Sequence, residues 1–156
     1  MASELSLYRD TVRPEWVDYN GHMRDAFYLL VFSFATDALM DAIGLDAAGR
    51  AASHSSIYTL ESHLNYLQEV KLGTKVQVQT RLLGADAKRL HVYQEMLVQG
   101  REGAVAVCEQ MLLHVDVRGP KSAPFQAAVM ACVQAMAAKH CQLARPVYVG
   151  RVMRLP

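Results

Sequence analysis

The chain has few cysteines, almost no net charge and no motif of a disulfide or metal framework. Its 156 residues carry a formal net charge of +1 and include 3 cysteines. Cys108, Cys132 and Cys141 lack the paired spacing of a metal site, and an odd number argues against a disulfide framework. A charge this small gives no electrostatic reason to expect nucleic acid or an anionic membrane as a partner.

The chain also lacks an unbroken apolar run long enough for a membrane. Its longest apolar segment, 26–43, is interrupted by Ser33, Thr36, Asp37 and Asp41, which argues against a membrane span. Residues 1–4 have no basic or apolar leader character, so no signal peptide is predicted. With 52% hydrophobic and 20% charged residues, the composition predicts one globular domain over 1–156, with its core at about 7–118, and a cytoplasmic location.

Three polar side chains of different chemistry stand just before that apolar segment. They are Asp18, Asn20 and His22, and Gly21 allows a turn among them. A carboxylate ahead of a helix faces free backbone N–H groups that can hold a developing oxyanion. Acyl-transfer chemistry requires this combination of an acid and amide donors. The alternative is a plain turn in which Asp18 or Asn20 caps the helix, and spacing alone does not separate the two.

The order of periodic segments predicts an α+β fold. A first strand is expected over 7–17, and a buried helix over about 24–43 with Gly44 after it and a polar stripe of Ser33, Asp37 and Asp41. A connection over 46–53 precedes strands over 55–66, 76–83, 90–98 and 104–117. A second helix over about 124–139, with Pro124 at its first position, and a tail over 145–156 follow. Four strands after one helix predict an antiparallel sheet packed around that helix.

The sequence resembles a known family through several ordered features. Asp-Tyr-Asn-Gly-His-Met at 18–23, Tyr28 and the long apolar helix are similar to the signature of hotdog-fold acyl-CoA thioesterases of the 4-hydroxybenzoyl-CoA thioesterase superfamily. The resemblance covers about residues 8–117. Within it, Thr-Leu-Glu-Ser-His-Leu (59–64), Lys71-Leu72-Gly73 and Lys88-Arg89-Leu90-His91 are most like the betainyl-CoA thioesterase type, linked to carnitine breakdown.

This resemblance implies a hotdog fold, in which the sheet wraps the long helix, with an additional C-terminal helix. It implies hydrolysis of a small acyl-CoA thioester, with no cofactor because coenzyme A is part of the substrate. It also implies a homodimer or a dimer of dimers, for which the strand over 104–117 could pair across a two-fold axis.

The resemblance assigns the catalytic acid to Asp18 and the oxyanion donor to the amide of Asp25, with the amides of Met23 and Arg24 as neighbours. Asp18 could attack the thioester or activate water, and both roles stay open. Arg24-Asp25 departs from the Asn that many relatives carry at one or both positions. The side chain of Asp25 is therefore expected to point away, since a second acid would repel Asp18.

Further catalytic candidates have structural alternatives. His22 could bind the substrate carbonyl or be a packed loop histidine, and Asn20 could position water or cap the helix. Glu61 and His63 share one strand face about 7 Å apart and could orient water; Glu61 could equally be a surface residue. No third ligand converges on them, so no metal site is predicted.

The remaining candidates concern substrate binding. Basic groups for the phosphates of CoA could be Lys88, Arg89, Arg81 and Arg101, each also explicable as a surface charge. A trimethylammonium group prefers aromatic faces or a carboxylate. The candidates for such a cage are Trp16, Tyr19, Phe27, Tyr28, Tyr58 and Tyr66, which are equally good core residues. Gly21 and Met23, in the 18–23 loop, are also predicted to contact the substrate.

Two other functions compete with hydrolysis. A non-catalytic acyl-CoA or acyl-carrier binding protein would keep the pocket, and a CoA-thioester dehydratase would share the fold. Neither a G-x-S-x-G elbow nor a nucleotide-binding glycine motif is present. The intact 18–23 loop favours the hydrolase.

Overall fold

The structure is a computed structural model that describes residues 5–156. Residues 1–4, on which the prediction of no signal peptide depends, lie outside this range. The elements, in order, are β1 (Ser6–Thr11), a 3-10 turn (Pro14–Trp16), α1 (Asp25–Ala42), α2 (Ala47–Ser53), β2 (Ser55–Tyr66), β3 (Lys75–Ala85), β4 (Arg89–Val98), β5 (Ala106–Asp116), β6 (Lys121–Ser122) and α3 (Ala127–His140).

The sheet is antiparallel and has the order β1-β3-β4-β5-β2, with the short β6 beside β5. It packs on α1, and this confirms the predicted α+β hotdog arrangement. Since β5 pairs with β4 on one side and β2 on the other, the prediction that the strand over 104–117 pairs across a two-fold axis is wrong. Of the five long strands, β1 and β2 have the free edges.

The central helix begins and ends within a residue of its predicted bounds. Arg24 is the N-cap residue and makes no side-chain cap bond, so Asn20 does not cap this helix. Gly44 follows with φ +90°, a conformation that glycine adopts without strain. The predicted polar stripe is exposed, and the apolar Leu29 beside it is also 41% exposed. One face of α1 is therefore open, and the helix is not buried on all sides.

Apolar side chains form two buried clusters along α1. The first half of the helix, with Val31 and Phe32 fully buried, packs against β1, β3, β4 and β5. The second half, with Leu39 and Ile43, packs against the other end of the sheet and against Val133 of α3. The additional C-terminal helix thus closes the end of the core that lies away from the start of α1.

A buried chain of polar side chains fixes α1 against the sheet. The amide of Gln94 on β4 donates to the carbonyl of Phe32 and to Thr36 Oγ1, each at 3.2 Å. Thr36 donates to Gln110 on β5, and Gln110 donates to Ser62 on β2. Because buried polar groups are costly unless paired, this network holds the helix in one register.

A β-bulge at Leu60 divides β2 into two halves. Thr59 pairs with Leu112 and Glu61 pairs with Met111, so Leu60 is the extra residue. Before the bulge Ile57 faces the core; after it, Ser62, Leu64 and Tyr66 face α1. Tyr58 and Tyr66 therefore lie on opposite faces of β2, although strict alternation predicts one shared face, because alternation ends at a bulge.

Two helix predictions also need correction. The stretch predicted as a connection contains α2, whose N-cap Asp46 accepts a hydrogen bond from the amide of Gly49 at 2.8 Å. Its alanines favour helix. In the C-terminal part, α3 begins at Ala127 after the N-cap Gln126, so Pro124 is not its first residue.

The tail after α3 lies against the outer face of the sheet, which is the face away from α1. Arg81 on β3 donates to the carbonyls of His140, Leu143 and Ala144. Further along, the amide of Gly150 donates to Glu109 Oε2 at 2.7 Å. The tail is thus held by its own chain.

No single helix in the described range is long and apolar enough to cross a membrane. Taken together, α1 and α2 have the length and apolar composition of a membrane span, but the two helices are bent by 68° relative to each other.

Candidate active site

The loop before α1 is closed by its own backbone. The amide of Asp18 donates to the carbonyl of His22, the amide of Gly21 donates to the carbonyl of Asp18, and Val17 pairs with Met23. Gly21 has φ +74°, which a residue with a Cβ rarely adopts. The closure carries Asp18 to a place beside His22, three residues before the first residue of α1.

Asp18 presents one occupied and one free carboxylate oxygen. Oδ1 accepts hydrogen bonds from the amides of Asn20 at 2.9 Å and His22 at 3.1 Å. Desolvation acts to raise the pKa of Asp18, but those two amide bonds and the nearby His22 and Arg24 outweigh it, so the pKa lies below its ordinary value. Oδ2 has no hydrogen-bond partner within residues 5–156. Asp18 is therefore ionised at neutral pH, with one oxygen available for chemistry.

The three amides proposed for the oxyanion differ in whether they are available. The amide of Met23 donates to the carbonyl of Val70 at 2.7 Å, and that of Arg24 donates to the carbonyl of Trp16 at 2.9 Å. In the described part of the chain, the amide of Asp25 donates to no protein group. It is the first amide of α1, where backbone donors are normally unpaired and the helix dipole favours negative charge. The side chain of Asp25 is exposed.

His22 contributes a second contact to this region. Its Nε2 lies 3.3 Å from Glu69 Oε2, and its backbone bridges to Lys71. The side chains of Asn20 and Tyr19 point outward, and Tyr19 is 92% exposed. Among the polar loop residues, Asp18 and His22 are therefore the two whose side chains contact other residues of this region.

A cavity of about 320 Å³ lies beside the start of α1. It is lined by Met23, Asp25, Tyr28, Tyr66, Leu67, Gln68 and Glu69. The rings of Tyr28 and Tyr66 meet edge to face, with centroids 5.2 Å apart and planes at 90°. The hydroxyl of Tyr66 donates to the carbonyl of Asp25 at 3.2 Å. The cavity thus adjoins the residue that carries the free amide.

Several predicted binding residues lie elsewhere. Trp16 is buried and stacks on Phe27 at 6.1 Å, so it is a core residue. Tyr58 lies before the bulge of β2, on the outer face. Lys88 lies just before β4, and Arg89 is the first residue of that strand. Arg89 is therefore about 30 Å along the sheet from Val98, the last residue of β4. Arg89 is paired there with Asp86.

Glu61 and His63 lie on the outer face of the sheet, away from α1. There they line a cavity of about 210 Å³ with His91, Glu109 and the tail residues Gly150 and Arg151. His91 Nε2 lies 2.8 Å from Glu109 Oε1. Within one chain the structure therefore groups Glu61 and His63 with the tail contact, and not with Asp18.

The tail contact predicts a pH effect. Desolvation acts to raise the pKa of Glu109, but the hydrogen bonds from Gly150 and His91 outweigh it and hold the pKa below 4.5. A carboxyl group whose pKa is lowered by folding stabilises the folded state at pH values above its ordinary pKa. This stabilisation is lost as the pH falls through the lowered pKa. We expect hydrogen exchange at the Gly150 amide, corrected for intrinsic pH dependence, to accelerate below pH 4.5 before the amides of β4 do.

Glu109→Gln is the matched variant for this measurement. It should already have weaker protection at Gly150 at pH 7, with little further change in acid. Equal protection of Gly150 in wild type and in Glu109→Gln at pH 7 would contradict the role of Glu109.

A second cavity near the loop is basic. It has a volume of about 620 Å³, and its cationic lining residues are Arg9, Lys75 and Arg101. Arg101 also donates to the carbonyl of Glu69 at 2.6 Å, and Glu69 lines the cavity beside α1. The two cavities are thus neighbours, and of the four predicted phosphate ligands Arg101 is the one near the site.

Within residues 5–156 no three His, Cys, Asp or Glu side chains are placed to hold a metal ion, and the three cysteines are free. The site residues that sequence analysis missed are Glu69 and the loop around it. Their position depends on the Met23–Val70 backbone bond, a contact between distant segments for which the sequence has no local signal.

Comparisons with known proteins show the family of the chain. The thioesterase-like superfamily profile matches residues 12–133. Over all 156 residues, the chain is 57% identical to a betainyl-CoA thioesterase from Pseudomonas aeruginosa, of which it covers 98%. It is 48% identical over 126 residues (81% of this chain) to an L-carnitine dehydrogenase/betainyl-CoA thioesterase from Agrobacterium fabrum, covering 26% of that longer protein.

Solved structures give the same assignment. A Staphylococcus aureus protein in complex with CoA superposes with a TM-score of 0.91 at 26% identity, covering 100% of this chain and 98% of that one. A Pseudomonas putida protein described as an inferred thioesterase superposes with a TM-score of 0.87 at 51% identity, covering 100% and 99%. The chain therefore belongs to the thioesterase-like superfamily, and it is a thioester hydrolase of the hotdog fold.

Proposed function

We propose that this protein hydrolyses betainyl-CoA, the CoA thioester of trimethylglycine, to the free acid and CoA. The observation that carries the proposal is the loop that leads into α1: among residues 5–156, Asp18 in this loop has one carboxylate oxygen without a hydrogen-bond partner, and the first amide of α1 is also unpaired. The full-length similarity to a betainyl-CoA thioesterase supports the choice of substrate.

The chemistry follows from these two groups. The amide of Asp25 and the helix dipole stabilise the oxyanion that forms when the thioester carbonyl is attacked. The free oxygen of Asp18 either attacks the acyl carbon, giving an anhydride that water cleaves, or takes a proton from the attacking water. In both routes the C–S bond breaks, and CoA leaves as a thiolate of low basicity that needs no strong acid.

The CoA nucleotide fits the basic cavity. Its phosphates are anionic, and Arg9, Lys75 and Arg101 outnumber Asp10, the one acidic residue that lines this cavity. The contact of Arg101 with Glu69 supports a position for this cavity next to the proposed acyl site. The CoA complex of the Staphylococcus aureus relative supports a CoA-bearing substrate.

We further propose that the chain is one thioesterase domain that acts as a homodimer or a dimer of dimers. The free edge of β2 offers a row of unpaired backbone groups of the kind that a second copy can pair with. No cofactor beyond the CoA of the substrate is needed for the proposed steps. A role in carnitine breakdown is supported by relatives that join this activity to an L-carnitine dehydrogenase. A cytoplasmic location fits the three free cysteines.

Thiol release from a panel of CoA thioesters tests the substrate. The panel contains betainyl, short-chain, long-chain and aromatic acyl groups. We expect kcat/KM for betainyl-CoA to exceed that for the others by at least about tenfold, as one favourable charged contact provides. Hydrolysis of other thioesters only would remove the carnitine link. Binding of acyl-CoA without hydrolysis would favour a non-catalytic binding protein.

A further inference from the structure

The cavity beside the first turn of α1 has walls suited to a quaternary ammonium group. Two tyrosine rings and two carboxylates, those of Asp25 and Glu69, are among its lining residues, and no Lys or Arg is. A quaternary ammonium has no N–H to donate. It is therefore held by the faces of aromatic rings and by negative charge.

The two rings form a corner that leaves an aromatic face accessible. Tyr28 is 4% exposed and is fixed in the core, whereas Tyr66 is 52% exposed. Their planes are perpendicular. A cation in the cavity can therefore contact the face of one ring while the other closes the side.

The position of this corner matches the shortness of the betainyl group. Its nitrogen is separated from the thioester carbon by one methylene, a distance of about 2.5 Å by ordinary bond lengths. Any site for the cation must consequently adjoin the oxyanion donor. Asp25 carries the free amide and lines this cavity. Its carbonyl oxygen accepts a hydrogen bond from the hydroxyl of Tyr66. The ring is thus tied to the residue that stabilises the oxyanion.

We propose that Tyr28, Tyr66 and Glu69 bind the trimethylammonium group and give the enzyme its preference for a cationic acyl group. This inference rests on the proposed function. Tyr66 supplies direct contact. Glu69 supplies a negative charge at the edge of the cavity. Its side chain is 74% exposed and lies 3.3 Å from His22 Nε2, so dissolved salt screens the effect of this charge.

The test compares two substrates of the same shape. In 3,3-dimethylbutyryl-CoA a carbon replaces the nitrogen of betainyl-CoA, so the pair differs in charge alone. The charge preference is the ratio of kcat/KM for betainyl-CoA to kcat/KM for this neutral analogue. We expect wild type to have a ratio well above 1.

Three variants divide the contributions. Tyr66→Leu removes the ring, and the ratio should fall by about 2- to 30-fold, the range that cation–π energies correspond to. Tyr66→Phe keeps the ring and should keep most of the ratio. Glu69→Gln should lower the ratio at low salt, and the loss should diminish at high salt. Because the cation is bound equally before and in the transition state, the losses should appear in KM.

Tyr58→Leu is the matched control. It removes a tyrosine of the same strand that lies on the outer face, and the ratio should stay at the wild-type value. If wild type prefers betainyl-CoA but Tyr66→Leu and Glu69→Gln both retain the full ratio, the cage is wrong and the proposed substrate stands. If wild type shows no preference for betainyl-CoA over its neutral analogue, the proposed substrate and the cage both fall.

Discussion

Asp18→Asn is expected to lower kcat by about 100- to 10,000-fold, the range for loss of a positioned acid or base. Both amides that hold Asp18 donate to Oδ1. The single carbonyl oxygen of asparagine can accept both, and its NH₂ group takes the place of the free oxygen. The loop should keep its structure while the reactive oxygen is lost. Steady-state thiol release with betainyl-CoA measures the effect.

Two controls accompany this variant. Its melting temperature and its affinity for a non-hydrolysable CoA ether should match wild type, which would assign the loss to chemistry. Retention of more than a tenth of wild-type kcat would remove Asp18 from the catalytic role. In wild type, ¹⁸O in the Asp18 carboxylate after single turnover in ¹⁸O-water would identify the nucleophilic route with water attacking the Asp18 carbon of the anhydride, because a general base acquires no label.

Asp25→Pro should reduce kcat by about 100- to 1,000-fold, the effect of deleting one oxyanion donor. Proline removes the amide hydrogen of the first helical residue, a position where helices tolerate it well. Arg24, the residue before it, has φ −71° and ψ 149°, the extended conformation that a residue preceding proline prefers. The substitution should therefore remove the donor without disturbing α1.

Asp25→Ala is the matched control, since it removes the carboxylate and keeps the amide. It should retain kcat within a few-fold of wild type. Equal losses in the two variants would assign the effect to the side chain and exclude the amide as the oxyanion donor. Circular dichroism of both variants checks that the helix is intact.

The sequence predicts the elements that have strong periodicity or clear end signals. α1 and the order of the strands along the chain belong to this group, because the apolar pattern and the turn chemistry are local. The start of α3 is predicted less well. Pro124 is a common first helical residue, but β6 and the contact of Phe125 with the core keep the chain extended until Gln126.

Which face of a strand meets the helix is not local information. Glu61 and His63 do share a face, as alternation predicts, but pairing with Met111 and Glu109 turns that face outward. The partners of β2 are 40 or more residues away, so no local window of the sequence contains them. Glu69 is unpredictable for the same reason, since a bond between Met23 and Val70 brings it to His22.

The bulge at Leu60 has an evolutionary consequence. If Leu60 paired with Met111 in regular alternation, the second half of β2 would turn over, with Glu61, His63 and Asn65 directed at α1 and Tyr66 directed at solvent. The core half of the strand, which contains Ile57, would stay as it is. Deletion of Leu60, by contrast, would leave Glu61 opposite Met111 and every side chain on its present face. Loss of the bulge without loss of a residue would therefore exchange the aromatic wall of the acyl cavity for a polar one, so acyl specificity can change through strand register as well as through substitution.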